Sequence, residues 1–63
     1  MSQTVTQITD AIAKLQVEDV KFENGNNSAG TRARKVLQEI AKLAKTRRAE
    51  ISQERVARKE TKD

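Results

Sequence analysis

Six cations in the second half of the chain have the type and spacing to do chemistry: Arg32, Arg34, Lys35, Lys42, Lys45 and Arg48. The window from Thr31 to Arg48 adds Arg47 and holds one acid, Glu39. A phosphate backbone is bound by long, flexible cations carried on a rigid rod, each displacing a condensed counterion. On a helical projection, Arg34, Lys35, Lys42 and Lys45 point away from the apolar stripe through Ile40, with Arg48 towards one shoulder. The only aromatic residue, Phe22, lies outside this group and reads as core. Stacking on splayed single-stranded bases therefore has little support. Asn and Gln are too sparse on that face for base reading. The pattern implies sequence-neutral contact with a duplex polyanion.

A second candidate is the run Asn24-Gly25-Asn26-Asn27-Ser28-Ala29-Gly30. Four residues separate its two glycines, as in the nucleotide-cradling loop Gly-x4-Gly-Lys-Ser/Thr. Here Thr31-Arg32 follows Gly30, and a helix rather than a strand precedes the loop, so a nucleoside triphosphate site is excluded. What survives is a candidate phosphate clamp of Ser28, Gly30 and Thr31 with Arg32, using the free amides of a helix start. The competing reading makes Gly25 a turn residue and Gly30 a point of close helix approach.

The remaining inventory argues against catalysis. Cysteine and histidine are absent, which removes the thiol nucleophile and the commonest general base and metal ligand. No enzyme activity, cofactor, metal or small-molecule substrate is expected.

These cations need elements to hold them. Residues 1–30 carry two bases against four acids, whereas residues 31–63 carry eleven against five. Such asymmetry points to a polyanionic partner. Val5, Ile8, Ile12, Leu15 and Phe22 recur at helical spacing, with Asp19 in the missing position of the series. Ala33, Val36, Leu37, Ile40, Leu43, Ala44, Arg47 and Ile51 form a second stripe. The expected fold is all-α: a hairpin of two antiparallel helices over residues 1–51, with a short Asn/Gly loop. Its helices cover about 4–23 and from about 31, and its loop about 24–30. Ser2 or Thr4 is expected to cap the first helix, and Asn27, Ser28 or Thr31 the second. Antiparallel pairing sets Phe22 near Ala33, Leu15 near Ile40 and Ile8 near Arg47. Residues 52–63 read as a basic or mixed-charge C-terminal helical extension or frayed tail. In this register Arg55 and Arg58 continue the stripe.

A two-helix seam seldom suffices alone in water. With Ala13, Val17 and Val20 as a second apolar edge, the hairpin is expected to dimerise into a four-helix bundle. No apolar run has the length of a membrane span, and the first residues lack the pattern of a signal peptide. The expected location is cytoplasmic and nucleoid-associated, or a viral particle if phage- or virus-encoded.

The stretch from Phe22 to Ile40 resembles the bacterial linker-histone-like family, the chlamydial type of histone-like protein. The likeness lies in Phe22, Gly25-Asn26, Ala29-Gly30-Thr31-Arg32, Arg34-Lys35 and Leu37-Gln38-Glu39-Ile40. It continues more loosely through Leu43-Ala44 and Arg48-Ala49-Glu50-Ile51. The resemblance implies a non-enzymatic, nucleoid-associated protein that compacts double-stranded DNA without strong sequence preference. It carries Arg32, Arg34 and Lys35 over as DNA contacts, beside Lys42, Lys45 and Arg48 from the charge pattern. Two other readings share parts of this pattern. A coiled-coil protein-interaction module would use Val5, Ile8, Val17 or Val20 and respond little to salt. An RNA-binding module of ribosomal type would prefer RNA to DNA.

Overall fold

The computed structural model describes residues 2–61, which form two helices, α1 (Gln3–Glu23) and α2 (Asn27–Thr61). They pack side by side as an antiparallel hairpin, 54 × 17 × 13 Å overall. Within α1, 21 residues make a rod of about 31 Å, and within α2, 35 residues make one of about 52 Å. The long axis is therefore α2 itself. Beyond Ser52 no helix lies beside it.

Both ends of α1 and the start of α2 are closed by identifiable hydrogen bonds. Ser2 caps α1, its hydroxyl accepting from the Val5 amide at 3.3 Å. At the other end the Asn26 amide donates to the Lys21 carbonyl at 3.0 Å, and the Gly25 amide to Phe22 at 2.9 Å. This nested pair is a Schellman motif, and it requires left-handed backbone at Gly25, whose φ is +103°. Asn26 then starts the next helix: its side-chain Oδ1 accepts from the Ala29 amide at 3.1 Å. The connector is thus only Asn24-Gly25-Asn26, and α2 begins at Asn27 rather than near residue 31. Asn26 is the cap, in place of the expected Asn27, Ser28 or Thr31. An amide acceptor directly after the left-handed glycine satisfies the helix start before those residues are reached.

The seam also differs in detail from the expected stripe. On α1 it comprises Thr4, Ile8, Ala11, Leu15 and Glu18; on α2 it comprises Ala29, Ala33, Val36, Ile40, Leu43, Arg47 and Glu50. Steps of four and three alternate throughout, the 3.5-residue period of helices wound around each other. Ala11, Ala29 and Ala33 are buried, and no large side chain is fully buried. Val5, Ile12 and Phe22, expected in the core, are 38%, 42% and 45% exposed. Leu37, Ala44 and Ile51 are likewise exposed beside the seam. The period selects position before size, so alanine occupies the place that the larger Ile12 was expected to fill. Glu18, not Asp19, occupies the polar position of the α1 seam.

Two contacts set the register. At the open end the Thr4 hydroxyl donates to Glu50 Oε2 at 2.8 Å. At the closed end the Phe22 ring lies over Gly30, where an added Cβ would sit 2.7 Å from ring Cδ1. Gly30 is therefore the point of close helix approach, and Phe22 meets the chain about one turn earlier than the expected Ala33. The Thr4–Glu50 bond agrees with the expected meeting of Ile8 and Arg47 one turn further in.

Apolar side chains left outside the seam gather on one flank. Val5 and Ile12 each follow a seam residue by one position, as do Leu37, Ala44 and Ile51 on α2. In an antiparallel pair these positions come to the same side. The opposite flank is polar, a shallow groove lined by Gln7, Asp10, Ala11, Lys14, Glu39 and Leu43.

Two measurements check this account. Gly25→Ala meets no neighbour within 4 Å, so its cost is backbone strain alone. It should cost about 1 kcal/mol, seen as a thermal midpoint some 4–8 °C lower by circular dichroism. Separately, hydrogen bonds from Thr4 and then Arg47 hold the Glu50 carboxyl below its ordinary value of 4.5, against partial desolvation. A carboxyl lowered by folding stabilises the fold above its unfolded value and loses that contribution as pH falls through the folded one. Helix stability should therefore decline as pH drops below about 4.5, and Thr4→Val should flatten that part of the profile.

Candidate nucleic-acid interface

The side of α2 turned away from α1 carries Arg34, Lys35, Lys42, Lys45 and Arg48, all exposed. These are five of the six cations expected as contacts, and the seam geometry brings them together on one face. Arg55 and Lys59, also exposed, continue the same face along the helix. From Arg34 to Lys59 the seven span about 38 Å.

The acids of α2 lie elsewhere. Glu39 borders the polar groove between the helices. Glu50 sits in the seam, bonded to Thr4 at 2.8 Å and to Arg47 at 3.1 Å. Glu54 pairs with Arg58 at 3.5 Å, one turn along the helix. Among the described residues, the acids of α2 thus face the seam or its margins, and the outer face remains cationic. Its charges share one sign along a rod whose other side is packed, which is the surface a phosphate backbone matches.

Arg32 is placed differently. Its Nε donates to Glu18 Oε1 at 2.9 Å, tying α2 to α1 on the flank of the hairpin. Arg47 is half-buried in the seam. Of the expected clamp, Gly30 faces the Phe22 ring and the Asn26 side chain occupies the Ala29 amide, while Ser28 and Thr31 are exposed three residues apart in the first turn of α2.

Arg55 and Lys59 lie outside the six expected contacts, because the apolar stripe expected from the sequence continues through Arg55. The seam ends at Arg47 and Glu50; its alternating four-and-three period, extended past that end, falls on Glu54, so Arg55 turns outward with Arg48. The seven-residue step from Arg48 to Arg55 is the signal that identifies it. Ala13, Val17 and Val20, the expected second apolar edge, lie with Gln16 and Lys21 on the outer side of α1. Val17 and Val20 are 55% and 60% exposed there.

No group of three or more His, Cys, Asp or Glu among the described residues is placed to hold a metal ion. No helix among them is long and apolar enough to cross a membrane. The two-helix hairpin and its one cationic face define a small all-helical protein with a basic edge. The family model of the histone H1-like protein Hc1 matches residues 2–57, and the chain belongs to that family. It is a DNA-binding family and not one of enzymes. No curated protein and no solved structure matches the chain.

Proposed function

We propose that this protein binds double-stranded DNA through phosphate contacts from the outer face of α2 and compacts it without sequence preference, as a nucleoid-associated protein. The observation that carries this reading is the segregation of charge on α2. Arg34, Lys35, Lys42, Lys45 and Arg48 share one exposed face, while Glu39 and Glu50 are turned to the seam side. With few Asn or Gln among the cations, contact is to phosphate rather than to base edges. Arg32, committed to Glu18, contributes less than its neighbours.

Compaction calls for two DNA contacts per particle, and a homodimer supplies them. The apolar flank of Val5, Ile12, Leu37 and Ile51, each 38–49% exposed, is the better dimer face than Val17 and Val20. Packing α1, the acidic helix, on the basic α2 of a second copy favours a two-fold four-helix bundle. The two cationic edges then lie on opposite sides, so one particle meets two duplexes.

Fluorescence anisotropy with two unrelated duplexes of about 30 base pairs, titrated over several salt concentrations, tests the binding. Equal affinities and a log–log salt slope near −4 to −5 are expected if about five phosphates are neutralised. Replacing Arg34, Lys35, Lys42 and Lys45 with Gln should weaken binding to both duplexes alike, with helicity intact, while Arg32→Gln should do far less. A loss confined to one sequence would count against phosphate-led binding. For the assembly, light scattering should give twice the 7.1 kDa chain mass. Leu37→Glu should return a monomer that still binds DNA, more weakly, and no longer bridges two duplexes.

A further inference from the structure

α2 outruns its partner. α1 begins at Gln3, and the Thr4–Glu50 bond marks the last point at which the two helices touch by hydrogen bond. From Ser52 to Thr61 the helix continues for about 15 Å, and among the described residues no second helix lies beside it. Residues 51–59 are all exposed. On this bare arm Ser52, Arg55, Val56 and Lys59 recur at steps of three, one and three along the line of Lys45 and Arg48, with Arg58 bordering them. Glu54 is turned to Arg58, one turn away on a neighbouring face.

Size separates the two parts of the rod. A single helix with its side chains is about 10–12 Å across, and the major groove of B-DNA is about 12 Å wide and 8.5 Å deep. Two helices packed 8–10 Å apart are too broad for that groove. The hairpin body can lie only against the backbone, whereas the arm fits inside. Continuous basic helices that leave a helical pair and enter the major groove are a known mode of duplex docking.

We infer that the arm of α2, through Ser52, Arg55, Val56 and Lys59, is a duplex-binding site that inserts into the major groove. The inference rests on the DNA reading above and extends it from the outside of the backbone to the groove. Arg55 and Lys59 reach the phosphates on the groove walls. Val56, 58% exposed, turns an apolar surface to the groove floor, where thymine methyl groups lie. Ser52 donates to or accepts from either base edge without selecting one, so the contact remains sequence-tolerant.

The test uses the full chain in three forms: unaltered, Arg55→Gln with Lys59→Gln, and Val56→Pro. The last keeps every charge but breaks the arm helix, leaving the hairpin seam untouched. Each is titrated on a plain duplex, on one whose major groove is filled by glucosylated hydroxymethylcytosine, and on one whose minor groove is occupied by netropsin. The unaltered chain should lose about tenfold or more on the major-groove-filled duplex and little with netropsin. The charge variant should show a salt slope shallower by about 2, and Val56→Pro should weaken binding although its charge is unchanged. Full affinity for the filled duplex, or a Val56→Pro chain that binds normally, would overturn the insertion while leaving phosphate binding by the hairpin face intact. Failure of the unaltered chain to bind any duplex at low salt would overturn the DNA reading itself, and the arm with it.

Discussion

The close approach of two helices over small side chains is the constraint on which the rest of this structure depends. Ala11, Ala29 and Ala33 are the buried apolar residues of the seam, and Gly30 admits the Phe22 ring where any Cβ would collide with it. Small residues bring backbones together but supply little apolar area, so such a seam specifies position weakly. Polar contacts take over that task. The Thr4–Glu50–Arg47 group fixes the open end, the Arg32–Glu18 pair fixes the flank, and the Schellman turn at Gly25 fixes the closed end. A slip of one residue would break all three at once.

The same constraint shapes the charged surface. Because the seam follows a 3.5-residue period, it holds Glu50 inward along α2 and leaves Glu39 and Glu54 on its margins. Glu50 and Glu18 also become useful there, as acceptors for Thr4, Arg47 and Arg32. Glu39, Glu50 and Glu54 are thereby withdrawn from the outer face, and seven described cations share it. The mixed composition of the helix becomes a single-sign edge only because the seam sorts it. Screening weakens each exposed charge beyond roughly 8–10 Å at physiological salt, but successive cations on this face lie within that distance or near it.

How far the sequence was legible follows from which physical signal each feature uses. The left-handed turn at Asn24-Gly25 is local chemistry, and it was readable, as were the two antiparallel helices and the cationic face. The start of α2 was not, since three asparagines, a serine and two glycines together look like a loop. What makes Asn27-Ser28-Ala29-Gly30 helical is the Asn26 cap and the ring of Phe22 over Gly30, and the second of these is a tertiary contact. The seam was displaced for a related reason. Ile12 outweighs Ala11 in any count of hydrophobicity, yet helix supercoiling selects Ala11 by position. Placing the stripe on Ile12 and Ile51 in turn sent Arg55 inward, and two cations of the outer face were lost from view.

An exposed flank and a projecting arm have one origin in this geometry. A seam of alanines leaves the larger apolar residues, Val5, Ile12, Leu37 and Ile51, beside the contact instead of within it. The hairpin therefore does not complete a core by itself, and its apolar flank is available to a second copy. The unequal lengths of α1 and α2 leave the end of α2 without any helix beside it. That arm contains no seam to bury, and it is stabilised as a continuation of an already nucleated helix rather than as a unit of its own. The proposed association through the flank and the proposed contact through the arm thus draw on different surfaces, so neither would need to be vacated for the other. A short chain with too little apolar area for a closed core can in this way serve both a partner copy and a polyanion.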